Sequence, residues 1–96
     1  MQSFILPCTT ITDADIKSGI LPVTKDFEEH FPSTSCEIKI DYGKRIVKDV
    51  RFEYREGKDH RLHVGRPFMI NMEIGPGSKL KFLIVKAKTF YIIYKT

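Results

Sequence analysis

Ninety-six residues make one small domain, and the 42% apolar and 29% charged content is that of a folded globular chain. No apolar run approaches the roughly 18 to 20 residues of a membrane span, and the opening Met1-Gln2-Ser3-Phe4-Ile5-Leu6-Pro7-Cys8 lacks the basic-then-apolar plan of a secretory signal. The net charge of +4 hides an asymmetry, because residues 1–42 hold three Lys against seven Asp/Glu while residues 43–96 hold thirteen Lys/Arg against five. Formal charges of −4 and +8 follow, and the second half is expected to carry a basic surface that favours polyanions. Two cysteines, Cys8 and Cys36, are too few for a disulfide framework and are expected as reduced thiols in a soluble cytoplasmic protein.

In chain order, Phe4-Ile5-Leu6 reads as a first strand ended by Pro7. Thr12-Asp13-Ala14-Asp15 has the spacing of a capping box opening a short helix, and Gly19 is a natural stop for it. Ile20-Leu21-Pro22-Val23 is a brief extended piece, after which Thr24 is expected to cap a second short helix over 25–30, terminated by Phe31-Pro32. Period two then takes over. Cys36, Ile38, Ile40 and Tyr42 share one face, and Gly43-Lys44 is the expected hairpin tip. The next strand places Val50, Phe52 and Tyr54 inward and Asp49, Arg51, Glu53 and Arg55 outward; after a polar tip, Leu62 and Val64 resume the inward pattern. Pro67 suits the first turn of a short helix, and Gly75-Pro76-Gly77-Ser78 a turn. The nearly unbroken apolar runs 80–86 and 90–94 predict strands buried on both faces or closing a barrel. About seven short strands and two or three short helices favour a closed or nearly closed barrel over an open sheet.

The tip between Phe52 and Leu62 is crowded with long polar side chains. Arg51, Arg55, Lys58, His60, Arg61 and His63 can meet phosphates or base edges. Arg55 and Arg61 suit bidentate guanine recognition and Lys58 suits a phosphate; Glu56 and Asp59 are acceptors fitted either to a base amino group or to bracing the arginines. The plainer alternative is a solvated hairpin whose charges pair locally, but such pairs contribute only about 0 to 1 kcal/mol each. His60 and His63, three apart on a strand, should point to opposite faces and so are not expected to share a metal. Gly75-Pro76-Gly77-Ser78-Lys79 lacks the Walker spacing and leads into a strand. Asp26, Glu28 and Glu29 lie together without the His or Lys that would complete a nuclease centre. A non-catalytic binding domain with no cofactor and no metal is expected.

The order of elements, and the segments Thr10-Ile11-Thr12-Asp13-Ala14-Asp15-Ile16, Gly19-Ile20-Leu21-Pro22-Val23, His30-Phe31-Pro32, Arg51-Phe52-Glu53-Tyr54-Arg55, Arg61-Leu62-His63-Val64-Gly65 and Gly75-Pro76-Gly77-Ser78-Lys79-Leu80-Lys81-Phe82, resemble the B3 DNA-binding domain. Arg66 stands where that family usually has Trp, Ser78 where it has an acid, and Pro22 and Lys25, a displaced Pro-Lys step, have two residues between them. These departures point to a compact prokaryotic form similar to restriction-endonuclease effector domains rather than to the plant transcription factors. The resemblance implies a mainly β, seven-stranded open pseudobarrel spanning residues 1–96 as one monomeric domain. It implies sequence-specific recognition of double-stranded DNA through the major groove by an N-arm at 9–25 and a C-arm at 55–61. The N-arm would offer Thr9, Thr10, Thr12, Lys17, Ser18 and Lys25, although helix capping alone accounts for Thr12. In a restriction-type system the nuclease would be another domain or subunit, and the location cytoplasmic, on the nucleoid in a prokaryote. The alternative is a small β-barrel binding single-stranded nucleic acid, RNA or protein, with Tyr91 and Tyr94 as the aromatics to watch and both more expected in the core.

Overall fold

The computed structural model describes residues 2–43 and 46–96. Alternating apolar residues build seven strands: β1 (Ser3–Pro7), β2 (Ile20–Val23), β3 (Cys36–Asp41), β4 (Val47–Glu53), β5 (His60–His63), β6 (Lys79–Lys86) and β7 (Phe90–Lys95). They form one sheet in the order β1-β6-β7-β3-β4-β5-β2, antiparallel except where β3 runs parallel to β7. The sheet curls into a barrel whose edge strands, β1 and β2, share no ladder; it is a mainly β, open pseudobarrel. Two six-residue helices, α1 (Asp13–Ser18) and α2 (Arg66–Asn71), lie against each other, with α1 also against β2.

The core follows the period-two pattern. Ile38 and Ile40 of β3, Val50 and Phe52 of β4, and Leu62 of β5 are all buried, each such side chain worth about 1.5 to 3 kcal/mol on leaving water. At the centre Phe31 stacks on Phe52 and Tyr91, with ring centroids 5.3 Å away in each case, and meets Phe82 edge-on at 5.8 Å. The Tyr91 hydroxyl donates to the His30 carbonyl oxygen, so this segment plugs the barrel rather than merely ending a helix. Residues Lys25–His30 form the expected short helix, a turn of 3-10 type, but Thr24 at its N-cap makes no side-chain cap. The turn lays the rings of Phe27 and His30 against Phe4 of β1, at 5.8 and 4.3 Å. Packed side chains thus close the seam that hydrogen bonds leave open.

Of the two alternatives for the apolar runs of β6 and β7, they are strands of the nearly closed barrel and are not buried on both faces. Leu80, Phe82, Tyr91 and Ile93 face the core, whereas Leu83, Ile84 and Ile92 are half-buried and Val85 and Tyr94 are exposed. The sheet has a single inner face, and its outer face retains apolar side chains that hydropathy alone cannot tell from core. Tyr91 is in the core as expected, but Tyr94 is 46% exposed. In the hairpin tip at Gly43-Lys44, Lys44 lies outside the described residues.

Candidate nucleic-acid interface

The loop 54–59 joins β4 to β5, and its backbone is held by identifiable bonds. The Tyr54 N–H donates to Ser35 Oγ and the Arg55 N–H to His60 Nδ1, each at 2.9 Å, and the Lys58 N–H to the Arg55 carbonyl at 3.2 Å. An amide can only donate, so Nδ1 is an acceptor and the neutral ring carries its proton on Nε2. That nitrogen lies 3.0 Å from Glu28 Oε2 on the 3-10 turn. The imidazole also stacks on Tyr54 at 4.5 Å and leans on Phe52 at 5.5 Å. His60 is 1% exposed, which corrects its assignment as a DNA contact: it fastens the loop from inside. The alternation that sends Leu62 and Val64 inward runs back one step further to His60, and that was the missed signal.

Asp59 and Arg61 both open onto a cleft of about 180 Å³, lined also by Arg55 and the buried His60 and, from the other side, by Thr10, Asp15, Ile20 and Pro22. The β2–β5 ladder brings these walls together by pairing Pro22 with Arg61 and Val23 with His60. The opposite wall is shaped differently. Buried Cys8 and Ile11 pin the exit from β1, and the Cys8 N–H donates to the Ser78 carbonyl at 2.8 Å. Burial also pushes the Cys8 thiol up to about 11. Thr9 and Thr10 project between these anchors and are exposed. Thr12 and Asp15 form the expected capping box, with reciprocal bonds of 3.1 and 3.0 Å. Gly19, at φ 71°, ends α1 and accepts the Gly65 N–H at 2.9 Å.

Of the sequence-predicted residues, the cleft therefore gathers Thr10, Arg55, Asp59 and Arg61, with the buried His60 ring behind them in its lining. Glu56 and Lys58 are exposed at the loop tip, Thr9, Lys17 and Ser18 along the segment from β1 to β2, and Lys25 at the start of the 3-10 turn. Arg51 lies on the outer face of β4, opposite Glu37 and His63, and does not line the cleft. Sequence reasoning also missed two carboxylate–histidine pairs, Glu28 with His60 and Glu53 with His63. Glu53 accepts from or pairs with His63 Nε2 at 2.9 Å. That hydrogen bond, with the charges of Arg61, His63 and Arg55 behind it, holds its carboxyl below the usual carboxylate range against some desolvation.

Among the described residues every carboxylate contact with a basic side chain within 4.0 Å involves a histidine: Glu29–His30, Glu28–His60 and Glu53–His63. No described Lys or Arg comes within 4.0 Å of a carboxylate. The plainer alternative of locally paired loop charges is thus not what the chain adopts. Nor do Glu56 and Asp59 brace the arginines, since neither carboxylate lies within 4.0 Å of a described Lys or Arg.

No family model and no curated protein matches the sequence. Solved structures do match its shape. A complex of Arabidopsis FUS3 with DNA superimposes with a TM-score of 0.70 at 14% identity, covering 96% of this chain and 93% of that one. The fold is a B3-like pseudobarrel. A hypothetical Arabidopsis thaliana protein shares this pseudobarrel with a TM-score of 0.68 at 16% identity, over 99% of this chain and 89% of that one. The N-terminal domain of Helicobacter pylori LlaJI.R1 does so with a TM-score of 0.65 at 15% identity, over 99% and 80% respectively. These matches cover 96 to 99% of this chain, so the cleft between the β1–β2 segment and the β4–β5 loop lies within the shared fold and not on an addition to it.

Proposed function

We propose that residues 1–96 act as one DNA-recognition domain that grips the major groove of a duplex between an N-arm at 9–25 and a C-arm at 55–61. The observation that carries this reading is the position of Arg55 and Arg61. Both line a cleft shared with Thr10 of the opposite arm, and both are without a carboxylate partner within 4.0 Å. A guanidinium with uncommitted donors matches the paired acceptors of guanine. Similarity to a fold solved in complex with DNA supports the same partner. Similarity to a domain that is itself the N-terminal part of a bacterial protein supports a recognition module whose nuclease belongs to another domain or subunit of a restriction-type system.

A single-strand reading is less well served. Among the described residues Tyr94 is the sole exposed aromatic, and one ring is not a stacking platform. The test is selection from a randomised duplex pool, which should enrich a short motif of about 4 to 7 base pairs. Arg61→Ala or Arg55→Ala should cost roughly 1 to 3 kcal/mol and relax one position of that motif. Lys58→Ala should weaken all sequences alike and reduce the salt slope by about 0.9. Uniform affinity for every duplex overturns sequence-specific reading.

A further inference from the structure

Asp59 is a carboxylate in an unusual position. It is half-buried in the cleft, and among the described residues no donor is bonded to its side chain and no Lys, Arg or His lies within 4.0 Å of it. It is not placed there by slack in the chain. The next residue, His60, is locked by two ring hydrogen bonds and by stacking on Tyr54, and this lock turns Asp59 and Arg61 to the same side. Two residues along an extended chain span roughly 6.6 Å, a separation over which two side chains can address one base pair or two adjacent ones. An ionised carboxylate that meets only phosphates, or only the acceptors of guanine and thymine, loses its water without replacement. In the major groove it needs an exocyclic amino donor. Cytosine N4 presents one beside the O6 and N7 acceptors of its paired guanine, which are what Arg61 requires.

Resting on the reading of the two arms as a duplex-DNA grip, we infer that Asp59 and Arg61 together read a G·C pair, or two neighbouring ones, with Asp59 accepting from the cytosine amino group. Asp59 is then a specificity residue of opposite sign to the rest of the interface. It disfavours non-specific duplex while selecting cytosine. Asp15, the other carboxylate on the cleft, is already engaged through Oδ2 in the capping box and is not assigned this part.

The experiment compares the wild-type chain with Asp59→Ala and Asp59→Asn by duplex-pool selection and by titration of the selected and a scrambled duplex. The wild type should select a motif containing a G·C pair. Asp59→Ala should lose discrimination at one cytosine by about ten-fold or more, while its affinity for the scrambled duplex rises because a negative charge has gone. Asp59→Asn should move that position from cytosine toward adenine, since an amide matches the adenine N6 and N7 edge. Retention of the same cytosine preference by both variants overturns the inference and leaves the DNA-binding reading standing, as does a wild-type motif without a G·C pair. Parallel loss of specific and scrambled binding in Asp59→Ala, with its thermal unfolding shifted, overturns it too by showing a structural role. Absence of any duplex binding by the wild type overturns the underlying function itself.

Discussion

The C-arm is fastened by side chains from other elements, whereas the N-arm is held by its own capping box, by backbone contact and by apolar anchors. In the loop 54–59, one imidazole ties the Arg55 amide to the 3-10 turn, and Ser35 holds the Tyr54 amide. Across the cleft, Cys8 and Ile11 sink into the core, α1 is capped by its own chain, and Gly19 rests directly on Gly65. A polar fastening can be weakened one hydrogen bond at a time. A backbone contact tolerates no added atom, so the two arms should fail in different ways when substituted.

The largest effect is expected at Gly19. A Cβ there would sit 2.4 Å from the Gly65 carbonyl carbon, on backbone whose φ of 71° already disfavours a side chain. Gly19→Ala should therefore cost about 3 kcal/mol or more in urea or thermal unfolding, and an unchanged midpoint would show that the arm yields easily. Next comes His60→Ala, which leaves the Arg55 amide without its acceptor and empties a ring-sized space beside Tyr54. A loss of roughly 2 to 3 kcal/mol is expected, together with faster hydrogen exchange at the Arg55 amide and weaker binding of duplex. Exchange that stays slow at Arg55 would mean the loop does not depend on the imidazole. Thr12→Ala removes one half of the capping box and should cost about 1 kcal/mol, with the C-arm unaffected.

The smallest effect concerns acidity. Glu53 is held below its ordinary 4.5 in the folded chain, first by the His63 hydrogen bond. Its contribution to stability is thus present above that ordinary value and is lost as pH falls through the lowered one. Melting from about pH 6 down to about pH 3 should show a slightly shallower acid limb in Glu53→Gln than in the wild type. Identical limbs would assign the acid sensitivity to other carboxylates.

The two arms also differ in how far the sequence reveals them. Alternation located β3, β4 and β5 and the inward faces of Ile38, Val50, Phe52 and Leu62, because period two is a local property of each strand. Density of long polar groups located the C-arm. The same density misplaced His60, where a charged neighbourhood masked an inward register, and it included Arg51, which sits on the outer face of β4. The N-arm has no comparable local signal. Thr10 becomes part of the cleft only because β2 pairs with β5, an alliance between residues about forty positions apart that no window of sequence contains. Resemblance to a known family pointed to it; composition did not. Phe31 was read as a helix stop and is the hub of the aromatic core, for the same reason: its partners Phe52, Phe82 and Tyr91 are all distant in sequence.

The parallel join between β3 and β7 bears on the time course of assembly. It links Lys39, Ile40 and Asp41 to Phe90, Tyr91 and Ile92, and among the described residues it is the one strand ladder between the β1-β6-β7 unit and the β3-β4-β5-β2 unit. Hairpins such as β3–β4 and β6–β7 close over short loops and are expected to form early, while the join must wait for a much longer loop to close. β1 waits as well, since its ladder runs from Phe4 to Phe82. The first strand made is therefore expected to be among the last to find its place, and the N-arm it carries takes shape only when the barrel does.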